Sequence, residues 1–126
     1  MKTTDIGRIG ERIAAKYLRK NKYKILERNH RESHNEIDLI VTNREYMVFV
    51  EVKTRSVAKD LFSAYGTPAS AVTKAKQHRT IRAAQAYLNK HYTEKQIRLD
   101  VVEVYLDNET KKLLRVHHIL NAFGIK

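Results

Sequence analysis

Four charged residues, Glu36, Asp38, Glu51 and Lys53, interrupt two apolar runs in the segment "NEIDLIVTNREYMVFVEVKTR" (35–55). Runs rich in Val, Ile and Phe favour strands, and unpaired charge inside a fold is expensive. Two or three carboxylates side by side on a half-buried sheet repel one another, and one takes up a proton unless a cation intervenes. A hard divalent ion with oxygen ligands, Mg²⁺ or Mn²⁺, meets that requirement. Held by Asp38 and Glu51, such an ion would lower the pKa of a water and stabilise charge on a scissile phosphodiester, with Lys53 aimed at the same water or phosphate. The alternative is an ion-paired sheet face, Lys53 joining Glu51 and Glu36, worth under about 1 kcal/mol if exposed. Glu-x-Lys alone discriminates little, since Glu109 to Lys111 repeats it in a polar turn. What sets Glu51 to Lys53 apart is the apolar strand around it and the Asp on its neighbour.

Strand geometry puts these charges together, because side chains alternate between faces. Ile37, Leu39 and Val41 share a core face with Val48, Val50 and Val52; Glu36, Asp38, Ile40, Phe49, Glu51 and Lys53 share the other. Placing Asp38 opposite Glu51 centres the hairpin between Arg44 and Glu45, in the polar turn "TNRE". The same register pairs Ile40 with Phe49 and Glu36 with Lys53.

The elements that must carry the hairpin are also legible. A first helix, capped by Thr4 or Asp5, carries Ile6, Ile9, Ile13, Tyr17 and Leu18 on one face and ends near Asn21. A short strand "YKILERN" and a polar loop "HRESHN" lead into the hairpin strands 36–41 and 46–53. "SVAKDLFSAYGTPAS" has no periodicity and reads as a long mobile loop in which Tyr65 and Gly66 could shape an entrance. Thr73 caps a second helix to about Lys90, its stripe being Ala75, Ile81, Ala84 and Leu88 with Val72 or Tyr87. "IRLDVVEVYL" and "KLLRVHHIL" flank an Asp107-Asn108 turn as two more strands. The order αβββαββ, with helices on a central mixed sheet, is an α/β or α+β sandwich.

Composition narrows the partners. At 126 residues, 42% of them hydrophobic, the chain suits one domain. The N-terminus lacks a signal-peptide block and no apolar run reaches membrane length, so a soluble, cytoplasmic protein is expected. There is no cysteine, which excludes disulfides, thiolate metal sites and a Cys nucleophile. The 25 Lys and Arg against 14 Asp and Glu give a net charge of +11, which points to an anionic partner, nucleic acid before an anionic membrane. Arg12 to Leu26 holds six cations and no acid, and Leu61 to Thr93 five and no acid. Lys74 and Lys76 sit in the first turn of the second helix, the unfavourable end for cations. Docking on phosphate explains them where helix stability does not, so Lys74, Lys76, Arg79 and Arg82 are the candidate nucleic-acid contacts, with Arg55 at the end of "FVEVKTR".

An Asp on one strand, Glu-x-Lys on the next and a Glu on a preceding helix resemble the PD-(D/E)xK core of restriction-endonuclease-like proteins, which includes the archaeal Holliday-junction resolvases. More closely, "GRIGERIAAKYL", "NEIDLIV", "FVEVKTR", "KAKQHRTIRAAQAYL", "RLDVVEV" and "HHILNAF" resemble, in order and over nearly the whole chain, the YraN-like family of small bacterial proteins. The resemblance implies a restriction-endonuclease-like fold, with Asp38 and Glu51 as metal ligands, Lys53 as the catalytic lysine, Glu11 as the helix acid near the metal, and Glu36 as the acid beside the motif's Asp. Three positions depart from the patterns: Ile37 stands where the name-giving Pro would be, Asn35 where the family usually has Gly, and Gln77 is followed four residues on by Ile81, which lacks the Tyr of some exonuclease branches. Arg98 and Asp100 match the family's Arg-x-Asp and read as a structural ion pair. The six histidines have no metal-ligand spacing and read as surface or satisfied core residues.

The expectation is therefore a Mg²⁺-dependent nuclease acting on branched or structured DNA, and a homodimer if it cuts a symmetric junction. The alternatives are a DNA-binding module with an inert nuclease-like core, or a basic adaptor for RNA or an acidic protein.

Overall fold

The computed structural model describes residues 3–32, 34–58 and 72–124. Helix α1 (Thr3–Lys20) is followed by β1 (Lys24–Glu32), β2 (Asn35–Thr42) and β3 (Tyr46–Val57), then α2 (Lys74–Lys90), β4 (Gln96–Asp107) and β5 (Leu113–Ile119). One sheet takes all five strands in chain order, β1-β2-β3-β4-β5. β3 and β4 are parallel, with α2 in the connection between them, while the other pairs are antiparallel. The expected order and mixed α/β class are found. Tyr65 and Gly66, with most of their expected loop, lie outside the described residues.

Two apolar layers separate the helices from the sheet. Ala14, Ala15 and Leu18 of α1 pack on Leu39, Val41, Val48, Val50, Val52, Val102, Val104 and Leu106. On the opposite face Ala83, Ala84 and Tyr87 of α2 pack on Ile37, Ile40, Met47, Phe49, Leu99 and Val101. β3 and β4 are thus covered on both sides, as a parallel pair normally is, which is why their sequences read as continuous apolar runs.

Several boundaries differ from expectation. β1 continues through His30, Arg31 and Glu32, so "HRESHN" is mostly strand; as an edge strand it pairs on one side only, which lets polar residues occupy it. β3 runs on to Val57 because β4 pairs with it through Val57↔Asp107. Thr4 and Asp5 lie inside α1, which begins at Thr3, and not ahead of it; Asp5 is in the first turn, where the helix dipole favours an acid. Thr73 does cap α2, its Oγ1 accepting from Lys76 N at 3.2 Å. Ala75 is exposed, and Thr80 and Ala83 are buried in its place, because the buried stripe winds toward the C-terminal half of α2.

Candidate functional site

The β2–β3 ladder has the expected register, with Ile40↔Phe49 as one pair, but it spans only Leu39↔Val50 to Thr42↔Met47. Asp38 does not continue it: the Val52 N–H donates to Asp38 Oδ2 at 2.8 Å, in place of a backbone carbonyl. The strands part at this carboxylate, and two expectations fail there. Glu36 does not face Lys53; it lies opposite Arg31 of β1, with Arg31 Nε 3.6 Å from Oε2 in a largely exposed pair. Ile37 packs with Ile40 against α2, away from Leu39 and Val41, because the alternation shared with β3 ends at Asp38.

Asp38, Glu51 and Glu11 are nonetheless brought together. Glu51 is 5% exposed. Burial, and then the Asp38 charge, push its carboxyl up to about 7, against the opposing pull of Lys76 and Lys53. Burial also raises Asp38, with Glu36 adding to the shift and the Val52 N–H, Lys76 and Lys53 resisting it. Burial and the Asp38 charge raise Glu11 in turn, partly offset by a hydrogen bond from Asn29. The acids therefore repel one another as expected. Lys53 carries its charge beside both Asp38 and Glu51.

Small residues bring Glu11 close. A Cβ on Gly10 would lie 1.8 Å from Thr54 Oγ1 and 2.8 Å from Thr54 Cβ, so α1 rests on β3 at a distance only glycine permits. Beside this contact a groove of about 390 Å³ is lined by Ile6, Gly7, Glu11, Val52, Lys53, Thr54 and Ser56.

The basic residues divide. Lys76 turns inward, its Nζ 3.6 Å from Glu51 Oε1, an ion-pair distance beyond hydrogen-bond reach. Lys74, Arg79 and Arg82 are exposed on α2. Arg55 is half-buried, with Nε enclosed and without a hydrogen bond among the described residues, opposite Tyr105 of β4.

Two buried polar clusters go beyond the sequence reading. Asp100, 0% exposed, takes Arg98 Nη2 and His118 Nε2 on Oδ2 at 2.9 and 2.7 Å, and the Asn121 N–H on Oδ1 at 2.8 Å. Arg98 reaches Tyr23 OH, and Tyr17 OH lies 3.1 Å from His118 Nδ1. The expected Arg98–Asp100 pair is thus the centre of a larger network. Glu103, also 0% exposed, lies in one register row with Lys53 and His117; its Oε1 is 3.0 Å from His117 Nδ1, and its Oε2 makes no hydrogen bond among the described residues. An acid inside "VVEVYL" was the available signal for Glu103, the same oddity that marks Glu51.

A five-stranded mixed sheet with a helix on each face and paired acids where two strands part defines the class as α/β. Residues 10–104 match the uncharacterised protein family UPF0102. The chain belongs to this family, the YraN-like family its motifs resemble. It is 44% identical over 119 residues to a UPF0102 protein of Caldanaerobacter subterraneus subsp. tengcongensis, covering 94% of this chain and 93% of that one. It is 45% identical to one of Chlorobium chlorochromatii, covering 98% and 95%, and 42% identical to one of Clostridium botulinum, covering 96% and 95%. No described helix is long and apolar enough to cross a membrane.

Proposed function

We propose that residues 1–126 form a restriction-endonuclease-like domain that acts in the cytoplasm, binds branched or structured DNA, and hydrolyses its phosphodiester bonds with Mg²⁺ or Mn²⁺ at Asp38 and Glu51. The observation carrying this is Glu51: almost wholly buried, its Oε1 enclosed without a hydrogen bond among the described residues, its carboxyl raised to about 7 beside Asp38. A carboxylate oxygen that makes no hydrogen bond, has Lys76 Nζ only at 3.6 Å and lies next to a second acid fits a hard cation. Among the described residues no group of three or more His, Asp or Glu could hold a metal ion. A two-carboxylate site still suits Mg²⁺, which is commonly held by one or two carboxylates and completed by water and phosphate.

When bound, the ion supplies charge for the scissile phosphate and acidifies water. The chain's own residues do the rest. The Val52 N–H fixes the orientation of Asp38. Lys53 faces the charge of the phosphate, Glu11 backs Asp38, Glu36 stands at the rim, and Lys74, Arg79 and Arg82 hold the DNA backbone. Cutting a symmetric junction in both strands requires two such centres, and hence a dimer.

Lys76 favours a second reading. Its Nζ already stands as a cation 3.6 Å from Glu51, as it would in a DNA-binding module whose centre does not cleave. Cleavage of a labelled four-way junction and its linear arms with Mg²⁺ or Mn²⁺ separates the two. Cutting lost in both Asp38→Ala and Lys53→Ala establishes the nuclease. No cutting of any substrate, with binding unaffected by either change, leaves the binding module.

A further inference from the structure

We propose that the outward face of α1 is a second DNA-backbone surface, so that the molecule holds two arms of a branched DNA, one on each face of its sheet. This rests on the DNA-binding reading of α2 above. Arg8, Arg12, Lys16 and Lys20 follow one another at every fourth position along α1, and all four are exposed, as is Arg19. None of the five enters an ion pair among the described residues. Arg19 and Lys20 lie in the last turn, where the helix dipole favours cations, but like charges at that spacing weaken a helix, so Arg8, Arg12 and Lys16 are not explained by α1 itself. Nor is it a membrane anchor, because the apolar side of α1, Ala14, Ala15 and Leu18, is already spent on the sheet.

The spacing suits a repeating anion. Four helical residues rise about 6 Å, close to the roughly 7 Å between successive phosphates of one strand, which advance about 3.4 Å along the duplex axis while winding around it. α2 presents Lys74, Arg79 and Arg82 from the other side of the sheet. Two helices and the sheet between them set the two basic surfaces roughly 30 Å apart and facing opposite ways. A single straight duplex reaches only one of them, whereas two arms meeting at a branch reach both, with Asp38, Glu51 and Glu11 between.

The test is fluorescence anisotropy in chelator, with a labelled four-way DNA junction and a linear duplex of one arm's sequence, on the triple variant Arg12→Gln/Lys16→Gln/Lys20→Gln. Junction affinity should fall on the order of 10- to 100-fold and its salt slope should flatten by about 2–3, while duplex affinity changes by less than about threefold. Arg79→Gln/Arg82→Gln should weaken both ligands, and Lys16→Arg/Lys20→Arg should bind as wild type does. A thermal midpoint in the triple variant no lower than wild type excludes misfolding, since Gln is a good helix former and the change relieves repulsion. Unchanged junction binding, equal loss on junction and duplex, or preference for an RNA junction of the same shape would overturn the second surface. Chelator removes any divalent ion, so failure to cleave leaves this result standing; wild type binding no DNA at all would sink the DNA reading itself.

Discussion

Glu51 and Asp100 are buried acids with opposite consequences for stability. Glu51 is raised from its ordinary 4.5 to about 7 by burial and by Asp38, so the folded state holds more protons than the unfolded state between those values. Its contribution is present below about 4.5 and is lost as pH rises through 7. In chelator, urea titrations should show stability declining over this window by up to about 3 kcal/mol. Glu51→Gln should flatten the decline, and a flat wild-type profile would contradict the burial. Asp100 behaves the other way. Burial opposes its charge, but His118, Arg98 and the Asn121 N–H outweigh that and hold it below the usual range. Its contribution is present at neutral pH and disappears as pH falls through the depressed value. Asp100→Asn leaves the largely enclosed Arg98 guanidinium opposite a neutral partner and should cost about 3 kcal/mol, read from the shift in urea midpoint.

At the scale of elements, the site depends on how α1 meets β3. Gly10 permits the approach, and Glu11 follows it in the chain. Gly10→Ala would drive Cβ into Thr54, whose Cβ at 2.8 Å is fixed to the strand and cannot rotate away. α1 must then lift, at a cost of about 1–3 kcal/mol, and carry Glu11 away from Asp38. Combining it with Thr54→Ala should recover part of the loss by removing Oγ1 and Cγ2 but not Cβ. A loss no smaller in the double variant than in Gly10→Ala alone would mean that the helix is not held by this contact. β2 and β3 supply the complementary feature, since their pairing gives way where Asp38 takes the Val52 N–H.

For the whole molecule, a net charge of +11 sets a positive field, but the structure spends part of it internally. Lys76 is turned toward Glu51, Lys90 pairs with Glu32 at 3.1 Å, and Arg98 is enclosed with Asp100. On the proposed DNA-binding reading, the exposed Lys74, Arg79 and Arg82 of α2 are what a duplex meets. With three phosphate contacts, the logarithm of the duplex binding constant should fall with the logarithm of salt concentration with a slope of about −3. Anisotropy at several salt concentrations measures this. A slope near zero would remove α2 as a backbone surface.

The sequence alone determined the element order, the α2 cap, the hairpin register and the grouping of Asp38 with Glu51, because periodicity, turn chemistry and a charge inside an apolar run are local signals. It misjudged β1, where polarity suggested a loop, because edge pairing leaves little trace in composition. Only the tertiary structure decided that the β2–β3 ladder opens at Asp38, that Glu36 turns to Arg31, that Lys76 folds back on Glu51, and that Glu103 joins His117. Each of these depends on where a separate strand or helix packs. A side chain's partner across such a gap is fixed by packing, not by its neighbours in the chain.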